Sequence, residues 1–281
     1  MKEPFEQTKY RGFNINFYYD NEDPRDPRED GDNFGTMICF HRNYTLGDEH
    51  RFSRDTLKSE LAEEAWPDPG SVLWPTVEDT IEYWNNEGYE KALKNLGIDD
   101  GYGLTRKDLK IHEKAAEYTD IQINKFIDGI LNQFYIILPL SLYDHSGISM
   151  STTGFQSDWD SSDVGIIYVT KKKAKEEYGK DFEQKAINFM KAEVEEYDHY
   201  ISGECYGYDI TPMDANKKIE CAGACWGFLG WDSARKEILA NAKSEIDQAI
   251  KRYRIETITQ IVTERKIRFD MNSFFNSCWA Y

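Results

Sequence analysis

Asp144, His145, Ser146, Asp158, Trp159, Asp160 and Asp163 crowd into the stretch 144–163. Carboxylates beside a histidine can hold a divalent ion and activate a water for hydrolysis. The spacing of Asp158, Asp160 and Asp163 is loosely that of a calcium loop, without the mid-loop glycine and the downstream bidentate glutamate of an EF-hand. His145 precedes Ser146, but adjacency in sequence does not create the geometry of a nucleophile and its base. The plainer alternative is that these side chains cap turns and pair across a loop. A third use is binding: aspartates oppose a basic surface and a tryptophan anchors the contact. No GxSxG, P-loop, GxGxxG or HExxH pattern occurs. We therefore expect no catalytic residue, metal or cofactor. Asp144, His145, Asp158, Trp159, Asp160 and Asp163 are expected to form a partner-binding surface.

Two strands must hold that loop. Residues 134–143 are apolar, β-branched and aromatic with one proline, and 164–170 (VGIIYVT) is a second such run. Polar residues on a long loop between two stiff strands mark a working surface.

The rest of the chain supplies a scaffold. Residues 12–18 alternate Phe13, Ile15 and Phe17 with Asn14 and Asn16, as a half-buried strand does. A charged loop follows, then a strand at 35–41 expected to pair antiparallel with the first. Residues 53–65 form a helix with Ser53 or Asp55 near its cap and Leu57 and Leu61 on one face. Three prolines and a glycine end it within 66–75. Short helices are expected at 77–83 and 89–96, and a longer one over 115–131.

Asp181 and Gly203 bracket a helix whose Phe182, Ala186, Phe189, Met190, Val194, Tyr197 and Ile201 share a face. His199 belongs at its surface or rim. Residues 204–210 and 219–229 read as paired strands, with Tyr206, Tyr208 and Ile210 on one face of the first. Glu220, Ala222, Ala224, Trp226 and Phe228 are expected to share a face of the second. Cys221 and Cys225 alone do not make a zinc site. A last helix starts near Asp232; beyond 253, Ile255, Ile258, Ile261 and Val262 fit its continuation while the β-branched content fits a strand, and continuation is the expectation. Phe274, Phe275, Trp279 and Tyr281 make an aromatic C-terminus, expected to dock on its own subunit or, as an oligomerisation surface, on a neighbour.

The fold expected is α+β: an antiparallel sheet of these six strands, with the helices at 181–202 and 232–253 on one face, plus a helical insertion. Residues 1–65 and 116–253 would form the core domain, 66–115 the inserted segment and 254–281 a C-terminal extension.

The 281 residues include 51 acidic and 34 basic side chains, a net charge of −17. That argues against direct nucleic-acid binding, which needs a basic face, and suits a basic protein surface. Solubility alone is the simpler use of such charge. Residues 1–70 carry 16 acidic and 9 basic side chains, whereas 251–281 carry 6 basic and 3 acidic. Ends of opposite sign could meet within or between subunits. Aromatic residues make up 14% of the chain, a share that suits either ordinary core packing or a protein-binding surface. No run approaches the roughly 20 apolar residues of a membrane span. The N-terminus has no apolar signal-peptide core. Five cysteines without regular spacing point to a reducing cytoplasm.

Several separated motifs occur together in order. They are Pro24-Arg25, Gly35-Thr36-Met37, His41, Tyr44 and Leu46-Gly47-Asp48, then 143–148 (YDHSGI), Trp159-Asp160-Ser161, 164–168 (VGIIY), Tyr206-Gly207-Tyr208 and Cys225-Trp226-Gly227-Phe228. In these the chain resembles a family of hypothetical proteins of phages and mobile elements over 10–55 and 134–240. It is also similar to the phage anti-Gabija proteins. That second resemblance implies a non-enzymatic counter-defence protein in the host cytoplasm. It would assemble as a homo-oligomer around the bacterial Gabija nuclease complex and stop its action on DNA. The resemblance assigns no interface residues. The alternative is a metal-dependent hydrolase using Asp144, His145 and the cluster from Asp158 to Asp163.

Overall fold

The computed structural model describes residues 3–22, 24–29, 32–65, 77–96, 106–145, 147–155, 161–214, 219, 221 and 223–278. In chain order the elements are β1 (Glu6–Tyr10), β2 (Phe13–Tyr19), β3 (Thr36–Cys39), α1 (Leu57–Ala65), α2 (Val77–Tyr83), a π-helical turn (Trp84–Gly88), α3 (Tyr89–Asn95) and α4 (Arg106–Phe134). There follow β4 (Tyr135–Asp144), β5 (Ile148–Ser151), β6 (Ser161–Thr170), α5 (Lys171–Tyr178), α6 (Phe182–Ile201), β7 (Cys205–Pro212), β8 (Ala224–Leu229) and α7 (Trp231–Cys278). The fold is α+β, as expected.

The described strands form two antiparallel sheets of four, β1-β2-β7-β8 and β3-β6-β4-β5. The expected single sheet is thereby corrected. β2 does not pair with β3: β2 lies between β1 and β7, and β3 pairs with β6. The chain divides into two compact units, one of Met1–Pro27 with Glu196–Tyr281 and one of Arg28–Glu195.

In the first unit β1 and β2 form a hairpin. Its register, Tyr10↔Phe13, leaves Arg11 and Gly12 as the loop, and both have positive φ (46° and 79°). That is the two-residue turn whose twist suits a hairpin. β1 escapes a hydrophobic reading because EQTKY buries no residue fully. Phe13, Ile15 and Phe17, with Tyr206, Tyr208, Ile210 and Phe228, bury one sheet face against Ala234, Ile238, Ala242 and Ile246 of α7. Small and branched residues at helical spacing let α7 lie close on the sheet. Trp231 closes one end, its ring 4.9 Å from those of Phe5 and Tyr206.

In the second unit Ile38, Ile137, Ile166 and Tyr168 of the other sheet meet Leu57, Leu61 and Ala62 of α1 and Ile127, Ile130 and Leu131 of α4. Ser53 Oγ accepts the Thr56 N–H at 3.2 Å just before α1, close to the cap expected there. Pro139 sits within β4 because β5 covers only Ser141–Asp144, so the strand edge at the proline needs no N–H. α6 buries Ala186, Met190 and Val194 in this unit; its last turns from Glu196, with the buried Tyr197 and then Gly203 (φ 79°), belong to the first unit. Among the described residues no helix is long and apolar enough to cross a membrane.

Candidate functional site

The strand ends of the second unit carry part of the expected surface. Asp144 is the last residue of β4, and the chain turns at once into β5, with the His145 N–H donating to the Gly147 carbonyl at 3.1 Å. Asp163 lies on β6 opposite Ser141, whose hydroxyl donates to Asp163 Oδ1 at 3.2 Å. Both aspartates line one open cleft of about 1450 Å³. His145 is not among its lining residues and lies beside Tyr143, ring centroids 6.3 Å apart. Asp158, Trp159 and Asp160 lie outside the described residues.

The opposite wall of the cleft comes from the segment after β3, which residue spacing marks only as a turn. It contributes His41, Arg42, Tyr44, His50 and Arg51, joined by Arg54. His41 and Tyr44 stack, centroids 4.9 Å apart and nearly parallel. The Tyr44 hydroxyl reaches Asp144 Oδ1 at 3.4 Å, a long contact. Arg54 donates to the backbone carbonyls of Asp163 (3.1 Å) and Phe40 (2.7 Å). His50 Nε2 lies 3.0 Å from the Cys39 carbonyl, while its buried Nδ1 has no partner among the described residues. The density of His and Arg in HRNYTLGDEHR was the available signal for this wall.

Beneath the cleft sits a buried charge cluster. Asp48 accepts from Arg28 Nε at 2.8 Å and Nη2 at 2.7 Å, and from the Met37 N–H at 2.8 Å. Glu193 accepts the N–H groups of Phe34 (2.6 Å) and Gly35 (2.9 Å). Burial, and then the Asp48 charge, push the Cys39 thiol up to about 12, so at neutral pH it is not a nucleophile. Arg54 and Asp48 of this wall are held by backbone or buried partners, whereas Arg51 pairs with the exposed Glu64. Among the described residues no three His, Cys, Asp or Glu side chains come together in a way that could hold a metal ion.

The first unit offers a different surface. α7 is 48 residues long, and its N-terminal half covers the sheet. Further on, Ile255, Ile258, Ile261, Val262, Ile267 and Met271 are exposed, from 44% at Ile261 to 61% at Ile258. Helix continuation beyond 253 is as expected. Phe274 and Phe275 lie on its helical backbone, while Trp279 and Tyr281 fall outside the described residues.

No family model, no curated protein and no solved structure matches the chain.

Proposed function

We propose that this protein acts by binding other proteins, as a phage-encoded counter-defence inhibitor of the bacterial Gabija nuclease complex, in the host cytoplasm. The observation that carries a binding role is the run of exposed isoleucine, valine and methionine along the far half of α7. Such residues do not stay in water over a long helix without reason. Ile255, Ile258 and Val262 are spaced by three and four and so share one face of α7; clustered exposed apolar side chains mark a protein interface, and helices in proteins draw most of their stability from packing an apolar face. The charge supports the same reading. Residues 251–281 carry +3 within a chain of −17, which leaves −20 on the remainder. An acidic body can oppose a basic DNA path on a nuclease, while apolar anchors supply affinity. Self-association through the α7 extension, to build an assembly around the target, belongs to the same proposal. The target is what the separate resemblance to the phage anti-Gabija proteins, which have this size, implies.

The test is co-purification. Tagged protein is expressed in bacteria carrying the Gabija complex and recovered under mild conditions. The proposal expects the nuclease subunit to co-elute with it in a complex larger than either part. Separate elution of the two at micromolar concentration refutes it.

A further inference from the structure

The sheet of the first unit has a second face, turned away from α7. On it the register places Gln7, Asn16 and Asp209 side by side across β1, β2 and β7. They form one chain of hydrogen bonds. Asn16, only 5% exposed, accepts from Gln7 Nε2 at 2.6 Å and donates to Asp209 Oδ1 at 2.6 Å and Thr211 Oγ1 at 3.1 Å. The Tyr18 hydroxyl donates to Asp209 Oδ2 at 3.0 Å. Both oxygens of the Asp209 carboxylate are therefore fixed in place. A carboxylate has about four lone-pair sites, and two remain open. Among the described residues no Lys, Arg or His side chain pairs with it.

An aromatic wall stands beside this charge. The β7–β8 register shifts between Tyr206 and Tyr208, leaving Gly207 out of the ladder. The Trp226 ring lies against Gly207 so closely that an added Cβ would come within 2.1 Å of it. Trp226 is 46% exposed, and its ring centroid is 5.8 Å from that of Tyr18. Burial, and then the hydrogen bond to Asp209, push the Tyr18 hydroxyl up, so it stays a donor at neutral pH. Trp226, Tyr18 and Asp209 line a cleft of about 540 Å³, a volume within the usual range for ligand clefts.

We infer that this cleft takes an arginine side chain presented by a basic partner protein. An immobilised carboxylate with two open acceptor positions matches the two-pronged edge of a guanidinium. The flat face of the guanidinium stacks on an indole, whereas an ammonium is a hydrated point charge with no such face. The net charge of −17 draws basic segments toward the surface. This gives the proposed binding function a recognition chemistry, and it rests on that reading for its biological sense.

The experiment needs no nuclease. Acetylated hexaarginine amide is titrated into the full-length protein at low salt. Heat and the Trp226 indole N–H resonance are followed, and acetylated hexalysine amide and glucose serve as comparison probes. Hexaarginine is expected to bind, to move the Trp226 resonance and to exceed hexalysine by several-fold. Asp209→Asn, which keeps the side-chain shape, and Trp226→Ala, at an exposed position, should each weaken it by about tenfold, a loss of roughly 1.4 kcal/mol. Equal hexaarginine affinity in both variants and the parent overturns the inference in favour of diffuse attraction to an acidic surface. Movement of the Trp226 resonance by glucose and not by hexaarginine overturns it in favour of a sugar site. A failed Gabija test leaves this titration untouched, and a failed titration leaves the Gabija test untouched, so the two readings fall separately.

Discussion

The Arg28 guanidinium grips the Asp48 carboxylate with two parallel hydrogen bonds, Nε to Oδ1 at 2.8 Å and Nη2 to Oδ2 at 2.7 Å. The Arg28 side chain is 3% exposed, and its Nη2 also donates to the Gly35 carbonyl. One side chain thus ties the entry of the second unit to the segment after β3, which forms one wall of the cleft. Removing one partner of a buried pair leaves the other charged and unsatisfied, at a cost of about 3–5 kcal/mol. Arg28→Ala should lower unfolding stability by that order in a urea titration. Arg28→Lys should recover little, because an ammonium cannot make the fork. Arg51→Ala is the comparison. The Arg51–Glu64 pair has side chains 74% and 43% exposed, and its loss should cost less than about 1 kcal/mol. Equal effects of Arg28→Ala and Arg51→Ala would contradict this account.

Alkaline pH should destabilise the fold. Burial pushes Cys39 up to about 12, Cys205 up to about 11 and the Tyr135 hydroxyl up to about 12. The unfolded chain releases those protons at ordinary values, near 8.5 for a thiol and 10 for a phenol. Between roughly pH 8.5 and 12 the folded state therefore binds more protons than the unfolded state, and stability falls as pH rises. These groups contribute fully below about pH 8. The melting temperature should drop steadily from pH 8 to 10.5; a flat or rising profile would contradict the assignment. In the same range a thiol reagent should label the exposed Cys225 before the buried Cys39 and Cys205.

The apolar run of α7 is tested by placing charge on it. Ile258 and Val262 are 61% and 59% exposed, so the double change Ile258→Glu with Val262→Glu should shift stability by no more than about 1 kcal/mol. If the run is an interface, light scattering should report a mass well above 32.8 kDa for the parent and a smaller mass for the variant. Deleting residues 270–281 should weaken assembly if the tail docks on a neighbour. A monomeric parent at micromolar concentration would remove the self-association part of the proposal.

Periodicity makes part of this molecule legible. β4 and β6 are long apolar runs that pair as a sequence reader expects. α6 and α7 carry apolar residues at spacings of three and four, and Ala186, Met190, Ala234 and Ile238 are buried. Strand partners are less legible, because register and partner choice are non-local. β2 and β3 look like neighbours joined by a charged loop, yet that loop carries the chain from one sheet to the other. β1 is too polar to announce itself and depends on its hairpin turn. The face expected to join Trp226 and Phe228 is split, with Trp226 exposed and Phe228 buried, because β8 carries an extra residue at Trp226–Gly227 opposite Gly207, with Gly227 at φ 85°, and this bulge breaks the alternation of period two. Asp144 and Asp163 do meet in one cleft, where two paired strands put them. The His and Arg wall opposite is legible only as composition, since an irregular segment has no period to read.

The central claim is inhibition by binding, and a DNA-cleavage assay with purified Gabija complex tests it most directly. The account predicts that stoichiometric excess of this protein stops cleavage and that a complex of the two is recovered from the same mixture. Unchanged cleavage at excess protein, with no complex formed, would contradict it. Metal-dependent nucleotide hydrolysis by the protein alone, abolished by Asp144→Ala or His145→Ala, would replace it with an enzyme.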